Sequence, residues 1–411
     1  MRIAATGFVS AEAGSVASAN AILLRFLVEK GHEIDFFSKP SFVDPRQAVG
    51  TLPRFQFVPV VNSWQDSVRK SCERIPILKF LTERLDASSY NKLLVRRIRE
   101  KGRQQKYDVV LWLGDYAHST VPGAMTVSFA QGPPGTDARA IVSRRREIRK
   151  LAGFAKTLKW TVLARLRLSR WGLPPLKCSD HIIVGSSVSS EILKTTYKHL
   201  TSCGVSTLPY PIDLELFKPN PPKVREATGA LRVLWLGRIV PRKRLDLFLD
   251  GMALAIRNGM DVQITIVGGI GFVPGYERKI AEFPYPERLT WIRGMPREKI
   301  PALLQGNDVL IQPSDEENFG SSVAEAQACG LPVIIGHTNG NRDFLCERDI
   351  HLPDDHPESL LKALQVMEER GRTESGDAFK ISREFAESKF NVATVAATLE
   401  ALLKLIAEEK R

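Results

Sequence analysis

The stretch QPSDEENFGSSVAEAQACGLPVI, Gln312 to Ile334, decides how this chain is read. An apolar run ends at about Gln312 and a short acidic loop follows. A small-residue helix is expected from near Gly320 to Gly330, and Pro332 opens the next strand. Strand, loop, helix and strand in this order form the unit of a parallel sheet, which binds ligands at the carboxyl ends of its strands. Glu317 stands just before the helix and Glu325 lies within it, eight positions on. The N–H groups around Phe319 to Ser322 lack intrahelical partners at a positive helix end. That end suits an anion, or the hydroxyls and phosphates of a ligand.

The same rhythm extends to both sides. Downstream of the midpoint, strands are expected at 232–236, 262–267, 289–292, 308–312 and 332–335, with helical segments between them. Upstream, a short opening strand is followed by others at 33–38, 55–60, 109–113, 125–129 and 181–184. Helices are expected over about 15–30 and in two basic stretches, about 64–105 and 139–172. Leu208 to Asp213, followed by Pro219 to Pro222, reads as a linker. The expectation is two α/β domains, 1–212 and 213–391, facing each other across a cleft. The closing helix, about 392–411, is a candidate to pack back on the first domain.

Composition narrows the class. Of 411 residues, 43% are hydrophobic and 25% charged, which excludes a disordered, collagenous or disulfide-scaffold chain. The five cysteines have no CxxC spacing, so neither a zinc site nor a redox pair is signalled, and reduced thiols in a cytoplasmic protein are expected. No secretory leader is read at the N-terminus, and no run approaches the roughly 18 uncharged apolar residues of a bilayer span. Charge is lopsided. Residues 1–200 carry 32 Lys/Arg and 16 Asp/Glu, a net +16, while residues 201–411 carry 26 and 30, a net −4. The basic half faces something anionic, or water.

Glu-x7-Glu followed by Ala-x-Ala-Cys-Gly-x-Pro-Val-Ile resembles the retaining, nucleotide-sugar-dependent glycosyltransferases of family four. Their fold is GT-B, two facing Rossmann-like domains. The resemblance implies that Glu317 bonds the donor sugar near its reacting face and that Glu325 holds the ribose hydroxyls. It makes Asn318, Phe319, Gly320 and Ser321 donor-side residues. Gly237-Arg238 with Lys243 resembles the family's Gly-Arg-x4-Lys. Arg238 can fork onto phosphate oxygens and Lys243 adds a point charge, so together they would neutralise the departing diphosphate. Gly14 stands where the family has a glycine-rich loop. Gly268 matches a glycine-rich turn, and Met295 lies where a base commonly meets backbone. The resemblance covers about 180–400 and the first 40 residues; 40–175 share only the rhythm.

Gln131 departs from the pattern, standing where many relatives have a histidine. Glutamine can bond a sugar hydroxyl but cannot shuttle a proton near neutral pH. His118 is the nearby alternative on the acceptor side. The implied activity is a retaining, hexosyltransferase-like transfer from a nucleoside-diphosphate sugar to a glycan, lipid-linked or small-molecule acceptor, as in polysaccharide biosynthesis. Neither a cofactor nor a metal is expected, since Arg238 and Lys243 can handle the diphosphate. The rival readings are a sugar-nucleotide epimerase or phosphorylase on the same fold, or a non-catalytic nucleotide-sugar-binding subunit. Basic and apolar residues interleave over 139–170, which fits peripheral contact with an anionic membrane at its cytoplasmic face, or a solvated helix face. No reading motif points to nucleic acid.

Overall fold

The computed structural model describes residues 1–10, 15–40, 44–61, 76–199, 203–219, 229–373 and 377–409. Two parallel sheets organise them. The first contains β1 (Arg2–Gly7), β2 (Glu33–Ser38), β3 (Phe55–Pro59), β4 (Val109–Leu113), β5 (Met125–Phe129), β6 (His181–Val184) and β7 (Gly204–Thr207), in the order β3-β2-β1-β4-β5-β6-β7. The second contains β8 (Leu231–Leu236), β9 (Val262–Val267), β10 (Leu289–Ile292), β11 (Val309–Gln312), β12 (Val333–Ile335) and β13 (Ile350–His351), in the order β10-β9-β8-β11-β12-β13. Every residue of β4, β5, β11 and β12 is buried, because helices cover both faces of a parallel sheet. In each sheet the strand order reverses beside its first strand, at β1/β4 and β8/β11, where such sheets hold ligands.

The first domain carries α1 (Ser15–Glu29), α2 (Pro45–Val49), α3 (Pro76–Gly102), α4 (Thr136–Ser143), α5 (Arg145–Ala152), α6 (Phe154–Leu168) and α7 (Ser187–Thr195). The second carries α8 (Leu245–Arg257), α9 (Gly275–Ala281), α10 (Ile300–Gln305), α11 (Ser321–Ala328), α12 (Pro357–Thr373) and α13 (Phe379–Phe390); α14 (Val392–Glu408) closes the chain. The second basic stretch is three helices rather than one. Arg144 leaves the helical conformation at the first junction, and Gly153, at φ 80°, breaks the second. Of the first stretch, 64–75 falls outside the described residues. Two short edge strands, β7 and β13, escaped the sequence pattern because one is only partly buried and the other is two residues long.

The run Phe379–Glu408 is long and apolar enough to cross a membrane by length and composition, contrary to expectation. In this fold Asn391 divides it, its side chain capping Ala393. Val395, Leu399, Leu403 and Ile406 bury one face of α14 in the core. That helix packs on α1, and Glu400 meets His32 at 2.9 Å. The chain thus crosses between the domains twice, near 208–217 and at 390–391. The crossings touch, with Ile212 N–H donating to the Phe390 carbonyl at 2.9 Å. Arg383 of α13 donates to the carbonyls of Leu214, Phe217 and Ala328.

Candidate active site

The loop between β11 and α11 is fixed at several points. Asp315 N–H donates to the Arg242 carbonyl at 2.7 Å, and Gly340 N–H donates to the Glu317 carbonyl at 2.8 Å. A Cβ on Gly340 would lie 2.1 Å from that carbonyl, so only glycine allows the approach. Pro241 opens a tight 3-10 turn, Pro241–Lys243, directly after the Gly237-Arg238 segment. The turn aims two cations at one carboxylate. Lys243 Nζ lies 2.5 Å and Arg242 Nη1 2.9 Å from Glu317 Oε2. Burial alone would raise the Glu317 carboxyl, but Arg242 and Lys243 overcome it and hold the pKa at about 2. Lys243 is pushed down by burial and by Arg242, with Glu317 opposing. Asp137 pairs Arg242 on its other side, and with Arg238 beside it the cluster sets three cations against two carboxylates, which suits a diphosphate.

The other expected residues divide between the site and the scaffold. Arg238 projects into solvent, 63% exposed, with a long 3.5 Å contact to Asp137 and no bond to Glu317. Gly237 and Gly268 meet back to back: a Cβ on Gly268 would lie 1.8 Å from the Gly237 carbonyl oxygen. Glu325 is buried on α11 with Arg297 at 3.0 Å, and its Oε1 makes no well-directed hydrogen bond. Burial pushes its pKa up to about 7, with Arg297 offsetting part of the rise. Met295 is partly buried against the core. Gly14 lies outside the described residues.

Three of these residues also serve the scaffold. The Phe319 ring is turned to the core. It is buried against Tyr210, Phe344 and Phe390, with centroids 5.5 to 5.8 Å apart, because a large apolar ring gains most from the core. The Asn318 side chain is an interdomain strut, its Oδ1 accepting from Gly185 N–H at 2.9 Å. The Gly320 N–H is already taken by Asn341 Oδ1 at 2.6 Å, so fewer helix-end donors face the cleft than expected. Ser321 and Ser322 keep theirs at the N-terminus of α11.

Across the cleft, Gln131 and His118 line one concavity at the carboxyl ends of β5 and β4. The His118 ring lies tilted against Trp112, with centroids 5.7 Å apart, and sits 3.9 Å from Asp115. Gly132, at φ 133°, backs onto Asn318, where a Cβ would come within 2.8 Å of the Asn318 Cβ.

Sequence reasoning missed the bracket that joins α4 to the donor loop. Arg139 holds Glu316 at 2.7 Å, Arg144 holds Asp315 at 2.9 Å, and Asp137 holds Arg242 at 2.7 Å. Glu316 sits at φ 46°, a conformation costly for a side chain larger than glycine's. Asp355 receives both Arg144 and Arg244, which overcome burial and hold its pKa at about 2. Only Pro241, placing Arg242 beside Lys243 in a turn, signalled any of this. Arg139 and Arg144 read as part of a basic helix face, and nothing in the sequence marked Arg297.

Residues 217–380 match the family model described as "Glycosyl transferases group 1". A GDP-mannose-dependent alpha-(1-6)-phosphatidylinositol monomannoside mannosyltransferase of Mycolicibacterium smegmatis is 31% identical over 152 residues, 34% of this chain and 40% of that protein. A D-inositol 3-phosphate glycosyltransferase of Segniliparus rotundus is 28% identical over 171 residues, 39% and 38% of the two chains. The chain therefore spans about two fifths of the length of these curated relatives. Among solved structures, sucrose-phosphate synthase of Thermosynechococcus elongatus superposes with a TM-score of 0.66 at 18% identity, covering 99% of both chains. HepE of Anabaena in complex with UDP-glucose gives 0.62 at 15%, covering 98% and 99%. These likenesses show the GT-B fold.

Proposed function

We propose that this chain, whose residues 217–380 match the glycosyl transferases group 1, moves a hexosyl group from a nucleoside-diphosphate sugar to a glycan, lipid-linked or small-molecule acceptor. The observation that carries the reading is the convergence of Lys243 and Arg242 on the buried Glu317, at the carboxyl end of β11 and against the first domain. The donor diphosphate would lie against Lys243, Arg242 and the N–H groups of Ser321 and Ser322, with Arg238 closing from the solvent side. These charges stabilise the leaving group as its C1–O bond breaks, and no metal is required for that role. Glu317 holds the sugar hydroxyls, and Glu325 the ribose hydroxyls.

The acceptor enters from the side of Gln131 and His118. Its oxygen bonds C1 on the face the diphosphate leaves, and its proton passes to the departing phosphate oxygen, which gives retention of configuration. Gln131 binds and orients in this scheme and moves no proton. The test is transfer by Glu317→Gln and Lys243→Ala, after UDP, GDP and ADP sugars have been ranked by their effect on melting temperature. Wild-type turnover in either variant would end the assignment.

We further propose that the first domain works against an anionic membrane surface on its cytoplasmic side. Helix α6 buries Thr157, Thr161 and Ala164 but exposes Phe154, Leu158, Val162 and Leu166, and Trp171 beyond it is 78% exposed. Lys156, Lys159, Arg165 and Arg167 flank that stripe, as an interfacial helix requires. Flotation with phosphatidylglycerol vesicles should capture the wild type and release Leu158→Ser/Val162→Ser. Equal capture of both would refute the surface.

A further inference from the structure

The first domain holds positive charge that donor chemistry does not use. A cleft of about 1360 Å³ opens between α3 and the segment 167–177, floored by the loops after β4 and β5. Seven lysine and arginine side chains line it, against two carboxylates, Glu100 and Asp115. Some of this charge is committed: Arg96 pairs with Glu100 at 2.8 Å, and Arg99 donates to the Thr120 carbonyl. Lys92, Arg167, Arg170 and Lys177 make no side-chain hydrogen bond or ion pair among the described residues. Solubility calls for exposed charge but not for its convergence on one concavity from two walls, where like charges repel and the field is focused. The inner end of the cleft is Gln131–Gly132. Gly132 backs onto Asn318, the neighbour of Glu317, so the inner end of the cleft lies at the seam with the second domain.

We propose that the acceptor is a phosphoryl compound whose anion sits between α3 and the 167–177 wall, held by Lys92, Arg170 and Lys177, while its hydroxyl is presented at Gln131. The proposal rests on the transferase reading and names the acceptor class that reading leaves open. A soluble sugar and a lipid headgroup are the two sources of such a phosphate; both offer the same doubly charged, multiply accepting group to forked and point cations.

The experiment uses the full chain and calorimetry with two phosphate probes, glucose 6-phosphate and the monomeric lipid dihexanoyl phosphatidic acid. Glucose and dihexanoylglycerol are their uncharged counterparts. At least one phosphate should bind tenfold or more tightly than its counterpart, with affinity falling as salt rises. Lys92→Ala/Arg170→Ala/Lys177→Ala should lose at least tenfold for that probe. Which probe responds tells a soluble acceptor from a lipid-borne one. Failure of both phosphates to outbind their counterparts, or wild-type affinity in the triple variant, would overturn the proposal. The nucleotide-induced rise in melting temperature, read on the same proteins, is the separate measure. Its absence in the wild type counts against the transferase reading, whereas its presence beside failed phosphate binding counts against this acceptor alone.

Discussion

Glu325 should make nucleotide binding depend on pH. Burial raises its carboxyl from the ordinary 4.5 to about 7, and Arg297 at 3.0 Å offsets only part of this. At 1.36 kcal/mol per pH unit, the gap is worth about 3 kcal/mol. In the folded chain the proton stays on up to about pH 7, whereas in the unfolded chain it leaves near 4.5. The contribution to stability is therefore complete below 4.5 and is lost as pH rises through 7. Glu325→Gln keeps the shape of the neutral acid and cannot ionise. Relative to that variant, the wild type should lose about 3 kcal/mol between pH 4.5 and 8, a relative drop on the order of 5 °C in melting temperature. Ribose hydroxyls that donate to Glu325 favour its charged form, so nucleotide binding should expel a proton. Calorimetry at pH 6, in buffers of different ionisation enthalpy, should count close to one proton released per nucleotide. Affinity should rise by up to about tenfold per pH unit until pH 7 and then level off. A flat wild-type profile, or the same slope in Glu325→Gln, would refute the reasoning.

Lys243→Ala should lower the turnover number by about 10²- to 10³-fold, as removal of one preorganised charge donor does, in steady-state assays on a protein that still melts cooperatively. Phe319→Ala should cost about 3–5 kcal/mol of stability, read by chemical denaturation, because its ring fills the core between Tyr210, Phe344 and Phe390. A merely local loss of nucleotide affinity would instead place that ring at the ligand. Gly132→Ala should loosen the contact with Asn318 and reduce transfer more than nucleotide binding, since its new Cβ meets the opposite domain at 2.8 Å. Unchanged transfer would show that the observed approach of the domains is not the working one.

The strands were legible because each buried parallel strand is a short apolar run closed by a turn. Val109–Leu113 and Val262–Val267 appear in the structure with the bounds that the pattern assigns. Glu317 and Lys243 stood out because each sits in a short contiguous motif that resembles a known family's, local to a loop and a turn. What the sequence hid depends on which surfaces meet. Arg139 and Arg144 read as solvent charge until α4 is laid against Asp315 and Glu316. Arg242, which the motif leaves unmarked, reaches Glu317 beside Lys243, because both lie in the turn opened by Pro241. A motif marks a position, but only packing shows whether its side chain or its backbone faces the ligand.

The double crossing of the chain has a mechanical consequence. A single strand between two bodies allows them to swing, twist and drift apart. Two strands bound to each other at Ile212 and Phe390, and tied down by Arg383, leave one pivot. Away from that crossing, Arg139, Arg144 and Asp137 tie the two domains together a second time. Those ion pairs work as a latch on that pivot, so a change in charge there changes how often the cleft stands open.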